Sequence, residues 1–422
     1  MRVLISVLGD FTSYKEVIYS INNYESKSYI SSKVLYEYLK PDITITFIPF
    51  TLYHKLLKKP KGGKYCELAD ELLSASKKYV KEFYSEGKNV EFFVAPAVGT
   101  FFNHDKLVYS EKDRGLNLYP NYVYYKIISE LEKTEGSSVE FHVDLTHGIN
   151  YMPALLANVI TIIANSIGKQ VKLSFYNSDP LAGKFEEKNP PTLNINEVSR
   201  YVIKPKDGMN FITTQFMSID ENYFRKVIQD SNTITEIRKL AKAFQAGLFL
   251  LLNYYKKNIN EVKRQLEEKL KGIDDMEVVI EGCKVKYNYS LHHSAYILHA
   301  MLSILSKASL GKDELEAVEL TKLAENYANE LSEELLSNEI DNISGRIKKI
   351  ESEVPNYMKL AEILKRIDEE GGKKEEEKSS DTPNKRNLIA HGGLERNVTF
   401  VRYTGGKLYF KYKNPEKVLD QL

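Results

Sequence analysis

Three side chains suited to metal-free RNA cleavage lie close together near the carboxyl terminus, in the sequence Arg386-Asn387-Leu-Ile-Ala-His391-Gly-Gly. Cutting RNA through its own 2′-hydroxyl requires a proton acceptor, a proton donor for the leaving 5′-oxygen, and stabilisation of charge on the phosphate. His391 can do either proton transfer, Arg386 can bind a phosphate with two donors, and Asn387 can orient the histidine or hold the substrate backbone. These residue types at this spacing predict phosphodiester cleavage.

Helix geometry limits how this motif can be used. Arg386 and His391 are five residues apart, which separates them by roughly 140° around an α-helix at about 100° per residue. We therefore expect the helix to end at Gly392-Gly393, which frees His391 to turn, and a second copy of the chain to complete the site. On its own, the same pattern is also typical of two surface residues that suit the helix dipole.

The first half of the chain alternates short β-branched runs with helical patterns, which predicts a Rossmann-like α/β domain with a mostly parallel sheet over residues 1–205. We expect residues 181–212 to form an irregular or extended connection rather than another strand–helix unit, since Asp179-Pro180 stops the last strand. The predicted strands are 2–9, 43–50, 90–98, 139–146 and 171–179, and the predicted helices are approximately 27–40, 65–86, 120–134 and 150–166.

Polar and small residues follow the first and fourth predicted strands. The carboxyl ends of parallel strands and the adjacent helix N-termini form the usual ligand crevice of such sheets. Gly99 and Thr100, after the third strand, are a further candidate rim, and the spacing of Ser13 and Glu16 predicts a helix that starts with a capping box. The candidate ligand residues are Gly9, Asp10, Asp144, Thr146, His147, Gly148 and Asn150.

The second half, residues 206–422, has a helical rhythm. Thr233 and Glu236 have the spacing of a capping box, and apolar residues then recur every three or four positions from Ile234 to Tyr255. A second capped helix is expected after Asp313 and Glu316. The segments 276–289 and 398–412 are expected to form β-hairpins in or beside the helices, and the charged segment 367–385 is expected to be a mobile loop.

Composition excludes several other classes of protein. The formal net charge is only +1, which argues against permanent binding of long nucleic acid. Cys66 and Cys283 match neither a disulfide framework nor a zinc site and fit a reducing cytoplasm. There is no G-x-G-x-x-G or Walker A loop, so turnover of NAD or ATP is poorly supported.

The remaining histidines and the longest apolar stretch also have structural interpretations. His292, His293 and His299 lack neighbouring ligands and are expected to be structural. The apolar stretch 149–166 fits a buried helix better than a membrane span.

Two family resemblances follow from these motifs. The Arg386 to His391 segment resembles the R-x4-H signature of HEPN ribonucleases, including the polar residue directly after the arginine. The segment DLTHGIN, residues 144–150, resembles the loop after the fourth strand of CARF domains in CRISPR-associated proteins. A CARF-like half followed by a mainly helical HEPN half with β-hairpin insertions is similar to the Csx-type accessory ribonucleases of type III CRISPR systems.

The resemblance implies both a site and a switch. Arg386, Asn387 and His391 would be catalytic without any metal, and a HEPN dimer would cut single-stranded RNA. Cyclic tetra-adenylate or a close relative would bind across a CARF dimer and activate cleavage. Thr146, His147 and Gly148 are the stronger candidates for contacts with this ligand, whereas Gly9, Asp10, Asp144 and Asn150 are the weaker ones.

Two alternatives remain open at this point. The chain could be a non-catalytic nucleotide-sensing regulator whose helical half binds a partner or nucleic acid, although the near-neutral charge and the lack of a helix-turn-helix argue against it. The α/β domain could also degrade its own cyclic ligand, with Thr146 or His147 positioning a ribose hydroxyl.

Overall fold

The computed structural model describes residues 1–84, 89–103, 105–111, 116–133, 138–181, 185–348, 354–370 and 383–422. It divides into two compact units. Unit 1 comprises Met1–Lys204 and Leu266–Tyr296, and unit 2 comprises Pro205–Gln265 and Ile297–Leu422. The segment Leu266–Tyr296 therefore packs with unit 1, although it lies inside the predicted second domain.

Unit 1 is built from strands and the helices that connect them. Its described strands are β1 Arg2–Val7, β2 Val17–Ile21, β3 Tyr24–Ser28, β4 Ile43–Pro49, β5 Gly63–Lys64, β6 Val90–Ala95, β7 Gly99–Asn103, β8 Asp105–Glu111, β9 Ser138–Asp144, β10 Gln170–Ser178, β11 Thr192–Ile203, β12 Glu277–Glu281 and β13 Lys284–Asn288. Its described helices are α1 Ser31–Leu39, α2 Tyr53–Leu56, α3 Tyr65–Phe83, α4 Leu118–Glu132 and α5 Tyr151–Ser166.

The main sheet of unit 1 has the order β3-β2-β11-β10-β9-β1-β4-β6 among the described strands. The run from β10 to β6 is parallel throughout. Its central strands are buried on both faces: five of the six residues of β1 are inaccessible, and Phe141 and Val143 of β9 are fully buried. Burial on both faces is what a parallel sheet covered by helices requires, and it explains the nearly continuous apolar runs in the sequence.

A second sheet in unit 1 has the order β5-β12-β13-β8-β7. The hairpin predicted at 276–289 is confirmed as β12 and β13, but it pairs with β5 and β8 of unit 1 and not with the helices that flank it in sequence. The buried Asn121 of α4 also holds this segment, since its side chain donates to His292 O and accepts from the Tyr296 N–H.

One prediction for unit 1 is wrong. Ser13 and Glu16 do not start a helix: the chain makes one 3-10 turn at Phe11–Ser13 and continues into β2, which pairs with β3 and β11. Pairing between distant segments overrides the local signal there. Within the predicted irregular or extended connection, residues 192–203 are extended and form β11. The Asp179 carboxylate accepts hydrogen bonds from Asn194 and turns this strand back onto β10.

Unit 2 is mainly helical. Its described helices are α6 Pro205–Ser218, α7 Glu221–Val227, α8 Ser231–Gln245, α9 Phe249–Tyr254, α10 Lys256–Lys271, α11 Ala295–Lys307, α12 Ala317–Tyr327, α13 Glu330–Ile347, α14 Leu360–Glu370, α15 Lys385–Ala390 and α16 Pro415–Leu419. The chain leaves unit 2 within α10 and returns within α11. A four-stranded sheet of order β14-β17-β16-β15 completes the unit, with β14 Leu315–Glu316, β15 Val354–Lys359, β16 Thr399–Thr404 and β17 Lys407–Tyr412.

The sequence predicted the position of these helices better than their caps. The apolar stripe of α8 is buried as expected, but Asp230 is its N-cap, because the Asp230 carboxylate accepts from the Asn232 N–H and from the Thr233 hydroxyl. The stripe is also broken at Gly247, where the chain turns with φ of +74° into α9. In α12 the capping box is formed by Glu316 and Glu319, one turn after the predicted start.

Two further predictions concern segments outside these helices. The hairpin at 398–412 is confirmed as β16 and β17. Most of the predicted mobile loop, residues 371–382, lies outside the described residues. Within the described parts of the chain, the model contains no helix with the length and apolarity needed to cross a membrane.

Candidate functional site

The motif between Arg386 and Gly393 forms a short helix with a well-defined beginning and end. The Asn384 side chain caps α15 by accepting from the backbone N–H groups of Arg386 and Asn387. Gly393 N–H donates to Leu388 O at 2.8 Å, and Gly392 N–H donates to Ile389 O at 3.2 Å. These two bonds make a Schellman cap, which ends the helix at Ala390 and leaves His391 as the capping residue.

At Gly392 the turn that ends α15 packs directly against α13. It has φ of +55°, and a Cβ atom placed on it would lie 2.8 Å from both Cα and Cβ of Leu336 in α13. Gly393 also has a positive φ, and its carbonyl accepts a hydrogen bond from the Tyr412 hydroxyl of β17. Glycine is required at 392 for both conformation and space, so the turn after His391 is held against α13 and β17.

His391 contacts an acid that the sequence analysis did not identify. Its Nδ1 lies 3.0 Å from Oε2 of Glu339, which is on α13 one helical turn after Leu336. The imidazole is 46% exposed and the carboxylate 16% exposed. The hydrogen bond that Nδ1–H donates to the Glu339 carboxylate raises the pKa of His391, against the opposing effect of partial burial. Since Nδ1 is occupied by Glu339, Nε2 is the nitrogen available to a substrate.

A second carboxylate lies in the same neighbourhood. Glu395 is only 1% exposed, and its Oε1 accepts from the Asn397 side chain at 2.7 Å. Burial raises the pKa of Glu395. Its charge further favours the protonated form of His391.

Arg386 and Asn387 lie on the exposed side of α15. Within the described part of the chain, the Arg386 guanidinium forms no hydrogen bond or ion pair with another side chain. Its donors are therefore available for a phosphate. Arg386 and Asn387 lie in the first turn of this short helix, and His391 lies at its end.

A cavity of about 700 Å³ lies at the carboxyl edge of the main sheet in unit 1. It is reached from the ends of β9 and β10 and from the connection between β1 and β2. Thr146 and His147, both predicted ligand residues, line it. The other lining residues are Ser13, Tyr14, Lys15, Val17, Tyr19, Tyr29, Asn177, Ser178, Asp179, Pro180, Leu181, Phe185 and Leu193.

His147 is held by aromatic residues in this cavity. The Tyr14 ring stacks on the imidazole with a centroid distance of 4.6 Å. Nε2 of His147 lies 3.4 Å from the Tyr19 hydroxyl and accepts from the Ser31 N–H at 3.4 Å. Burial lowers the pKa of His147. A neutral imidazole with Nε2 as its acceptor is consistent with both contacts.

The other predicted ligand residues do not line the cavity. Asp144 is 1% exposed, and its carboxylate accepts from the Ser31 hydroxyl at 2.6 Å and from the Thr146 N–H at 3.0 Å. Asp10 forms an ion pair with Lys55. Asn150 is an exposed residue at the start of α5. These three residues support or surround the edge without facing the cavity.

Gly9 and Gly148 have a structural role at the same edge. A Cβ on Gly9 would lie 3.2 Å from the carbonyl carbon of Gly148, and Gly148 has φ of +119°. The Gly9 N–H donates to the Tyr14 hydroxyl at 2.8 Å. The loops after β1 and β9 therefore pass close together, and this contact helps to place Tyr14 over His147.

The sequence offered unequal signals for the residues that it missed. Asn177 and Ser178 end a predicted strand, so the rule used for Thr146 could have identified them. Tyr14 lies inside the Ser13 to Glu16 spacing that predicts a helix start, and Tyr19 follows it, so neither suggests a cavity wall. Glu339 is one of many acidic residues in the helical half. Nothing local distinguishes Glu339, because its partner His391 is 52 residues away in sequence.

Two protein-family models match the chain, one within unit 1 and one within unit 2. The family model for the CARF domain of the CRISPR system endoribonuclease Csx1 matches residues 3–180. The model for the HEPN domain of the same endoribonuclease matches residues 329–414, which contain α13, α15 and the four-stranded sheet except β14. These matches confirm the predicted resemblance and the predicted fold class.

One curated relative and one solved structure add detail. The CRISPR system endoribonuclease Csx1 of Methanocaldococcus jannaschii is 29% identical over 424 residues, covering 95% of this chain and 86% of that protein. Enterococcus italicus Csm6 bound to cyclic hexa-2′-fluoro-hexa-dAMP matches 83% of this chain and 87% of its own at 13% identity, with a TM-score of 0.25. A score that low supports no argument about fold or ligand.

The contact between Gly392 and Leu336 leads to a stability prediction. Gly392→Ala should lower the free energy of unfolding by about 2–4 kcal/mol, because it combines a left-handed backbone with a steric overlap. Urea denaturation followed by circular dichroism measures this loss. Gly345→Ala in α13 is the matched control: no atom lies within 4 Å of its Cβ position, and alanine in a helix should be neutral or stabilising. Equal stability of the two variants would contradict the close packing of the turn.

Proposed function

The chain belongs to the CRISPR-associated CARF–HEPN ribonuclease family of the Csx type, and from that premise we propose that it is a cyclic-oligoadenylate-activated, metal-independent endoribonuclease. Its substrate is single-stranded RNA, cut in type III CRISPR antiviral defence. The observation that carries the proposal is the geometry of α15. Its first turn presents the exposed Arg386, and its cap presents His391 in contact with Glu339.

The Glu339 contact favours one of the two proton-transfer roles for His391. Because the carboxylate raises the pKa of His391, the imidazolium form is favoured. His391 then donates its Nε2 proton to the 5′-oxygen as the bond from phosphorus to that oxygen breaks. The 2′-hydroxyl gives its proton to a solvent water molecule as its oxygen forms the new bond to phosphorus, so the products carry a 2′,3′-cyclic phosphate and a 5′-hydroxyl.

Arg386 and Asn387 bind the RNA and take no part in proton transfer. The Arg386 guanidinium binds the phosphate oxygens, where negative charge increases in the transition state. Asn387 holds the RNA backbone beside it. Arg386 is in the first turn of α15 and His391 is at its C-cap. The active form is therefore a homodimer or higher homo-oligomer in which two copies of the motif face one another and complete the site.

The cavity of unit 1 holds the activator. Its volume of about 700 Å³ lies within the range of roughly 300–1,000 Å³ that is usual for small-molecule sites. Thr146 and His147 contribute polar groups, and the Tyr14 and Tyr19 rings provide an aromatic wall. Cyclic tetra-adenylate or a close relative is the ligand, bound by two copies of the domain together. It activates cleavage because it binds the active dimer more tightly than the inactive one.

One experiment tests activator, reaction and metal dependence together. Full-length protein is incubated with labelled single-stranded RNA and a panel of cyclic and linear oligoadenylates, with and without EDTA. We expect cleavage only with a cyclic species, insensitivity to EDTA, and a decrease of about 10²–10⁴-fold in His391→Ala, since general acid catalysis contributes about that much. Unchanged cleavage by His391→Ala would refute the catalytic assignment, and equal cleavage without any oligoadenylate would refute the switch.

The proton-donor role of His391 predicts a change in pH dependence. Glu339→Gln removes the charge that raises the pKa of His391, so the imidazolium is lost at lower pH. The alkaline limb of the pH–rate profile should therefore shift to lower pH. The control is Glu334→Gln, an exposed residue of the same helix, which should leave the profile unchanged. A profile that is identical in the wild type and Glu339→Gln would show that this carboxylate does not set the protonation of His391.

If the activator binds in the cavity of unit 1, we expect a substitution of His147 to impair activation. His147→Ala removes a cavity wall, so the concentration of cyclic tetra-adenylate for half-maximal cleavage should rise by about tenfold or more, as expected for about 1.4 kcal/mol of lost binding. His293→Ala, at an exposed histidine of unit 1 that does not line the cavity, is the control. The readout is RNA cleavage across a titration of activator. If both variants respond like the wild type, the activator does not bind at His147.

A further inference from the structure

The four-stranded sheet of unit 2 has two different faces. Val401 and Phe410 are fully buried and point into the unit, and Leu408 and Tyr412 are nearly so. The alternate positions are partly exposed and form the opposite face. We name this surface the aromatic–basic face, and its members are Tyr357 of β15, Phe400 and Arg402 of β16, and Lys407, Tyr409 and Lys411 of β17.

The side chains of this face are in contact with one another. The Arg402 guanidinium lies 4.5 Å from the Tyr409 ring centroid and 5.4 Å from that of Tyr357. The Lys411 ammonium lies 3.8 Å from the Tyr357 centroid. Because β16 lies between the strands that carry the two tyrosines, the rings are about 10 Å apart. The cations hold both rings in place across the sheet.

Some of the cations of the aromatic–basic face are paired with carboxylates and others are not. Glu314 accepts from Arg402 at 2.8 Å and also from the Tyr357 hydroxyl, and Glu316 pairs with Lys407 at 3.3 Å. Neither Lys411 nor the exposed Lys413 has a carboxylate partner among the described residues. The uncompensated positive charge is therefore concentrated at one end of β17.

The opposite, buried face of the same sheet contacts the catalytic turn. Tyr412 lies between Lys411 and Lys413 in sequence but points to the buried face, where its hydroxyl donates to Gly393 O, two residues after His391. The aromatic–basic face and the catalytic turn therefore lie in the same compact unit and are joined through β17.

We infer that the aromatic–basic face binds the single-stranded RNA substrate, with bases stacked on Tyr409 and Tyr357 and phosphates beside Lys411 and Lys413. This inference rests on the proposed ribonuclease function and assigns a substrate-binding surface to it. The two tyrosines of this face are partly exposed. Aromatic rings interleaved with cations are the usual means of holding unpaired bases without sequence preference. A net charge of only +1 gives the whole chain little attraction for RNA, so a local surface of this kind is needed.

The test uses full-length protein with His391→Ala as the background, so that labelled single-stranded RNA is bound without being cut. Fluorescence anisotropy should show roughly five- to hundredfold weaker binding for Tyr409→Leu, in line with the usual contribution of one stacked base. Tyr409→Phe keeps the ring and should bind like the background. Lys411→Gln should weaken binding and reduce the slope of affinity against salt concentration by about one unit.

Matched controls separate binding from folding. Tyr223→Leu changes an exposed tyrosine of α7, and Lys322→Gln changes an exposed lysine of α12; both should bind RNA like the background. A duplex of the same sequence should be insensitive to Tyr409→Leu, because its bases are not available for stacking. In the catalytically intact protein, Tyr409→Leu should raise KM and leave kcat unchanged.

Several results would overturn the inference. Equal RNA affinity of Tyr409→Leu and Tyr409→Phe would do so, as would loss of affinity in both variants together with a lower unfolding temperature, which would indicate a structural role. These outcomes are distinct from failure of the proposed function. If the wild-type protein cut no RNA with any oligoadenylate, the binding measurements would still decide whether this face holds single strands.

Discussion

The catalytic turn of unit 2 depends on the contact between Gly392 and Leu336. It joins the end of α15 to α13 with no room for a side chain, and it brings His391 within 3.0 Å of Glu339 on the same helix. The Schellman cap, the direction of the imidazole and the protonation of His391 all depend on this approach. On the other side of the turn, Tyr412 bonds to Gly393 and joins the sheet to the same point.

Close packing at glycine also fixes the loops at the carboxyl edge of the main sheet in unit 1. Gly9 and Gly148 let two loops pass within contact distance, and the Gly9 N–H holds Tyr14 in position to stack on His147. Asp144 is buried beneath this arrangement and bonds to Ser31 and to the Thr146 N–H. A ligand bound there would contact side chains whose positions depend on the loops after β1 and β9 and on the start of α1. Ligand binding can therefore change the positions of those loops and of the start of α1.

The electrostatics of the two candidate sites differ in a way that suits their proposed roles. Burial lowers the pKa of His147, which favours a neutral hydrogen-bonding group for recognition. A neighbouring carboxylate raises the pKa of His391, which favours a proton donor. The same side-chain type is adjusted in opposite directions by its surroundings. The low net charge of the chain leaves attraction for RNA to local groups such as Arg386 and Lys411.

The sequence by itself determined the elements whose signals are local. The buried parallel strands, the stripe of α8, the R-x4-H motif and its glycine cap could all be recognised from residue type and spacing. The tertiary structure alone decided which distant segments meet. Pairing with β3 and β11 made a strand of the residues that follow the capping-box spacing of Ser13 and Glu16, and Leu266–Tyr296 joined unit 1. Glu339, Tyr14 and the aromatic–basic face are defined by contacts between segments far apart in the chain. Local patterns do not encode such contacts, because they depend on how the apolar surfaces of whole elements are buried together.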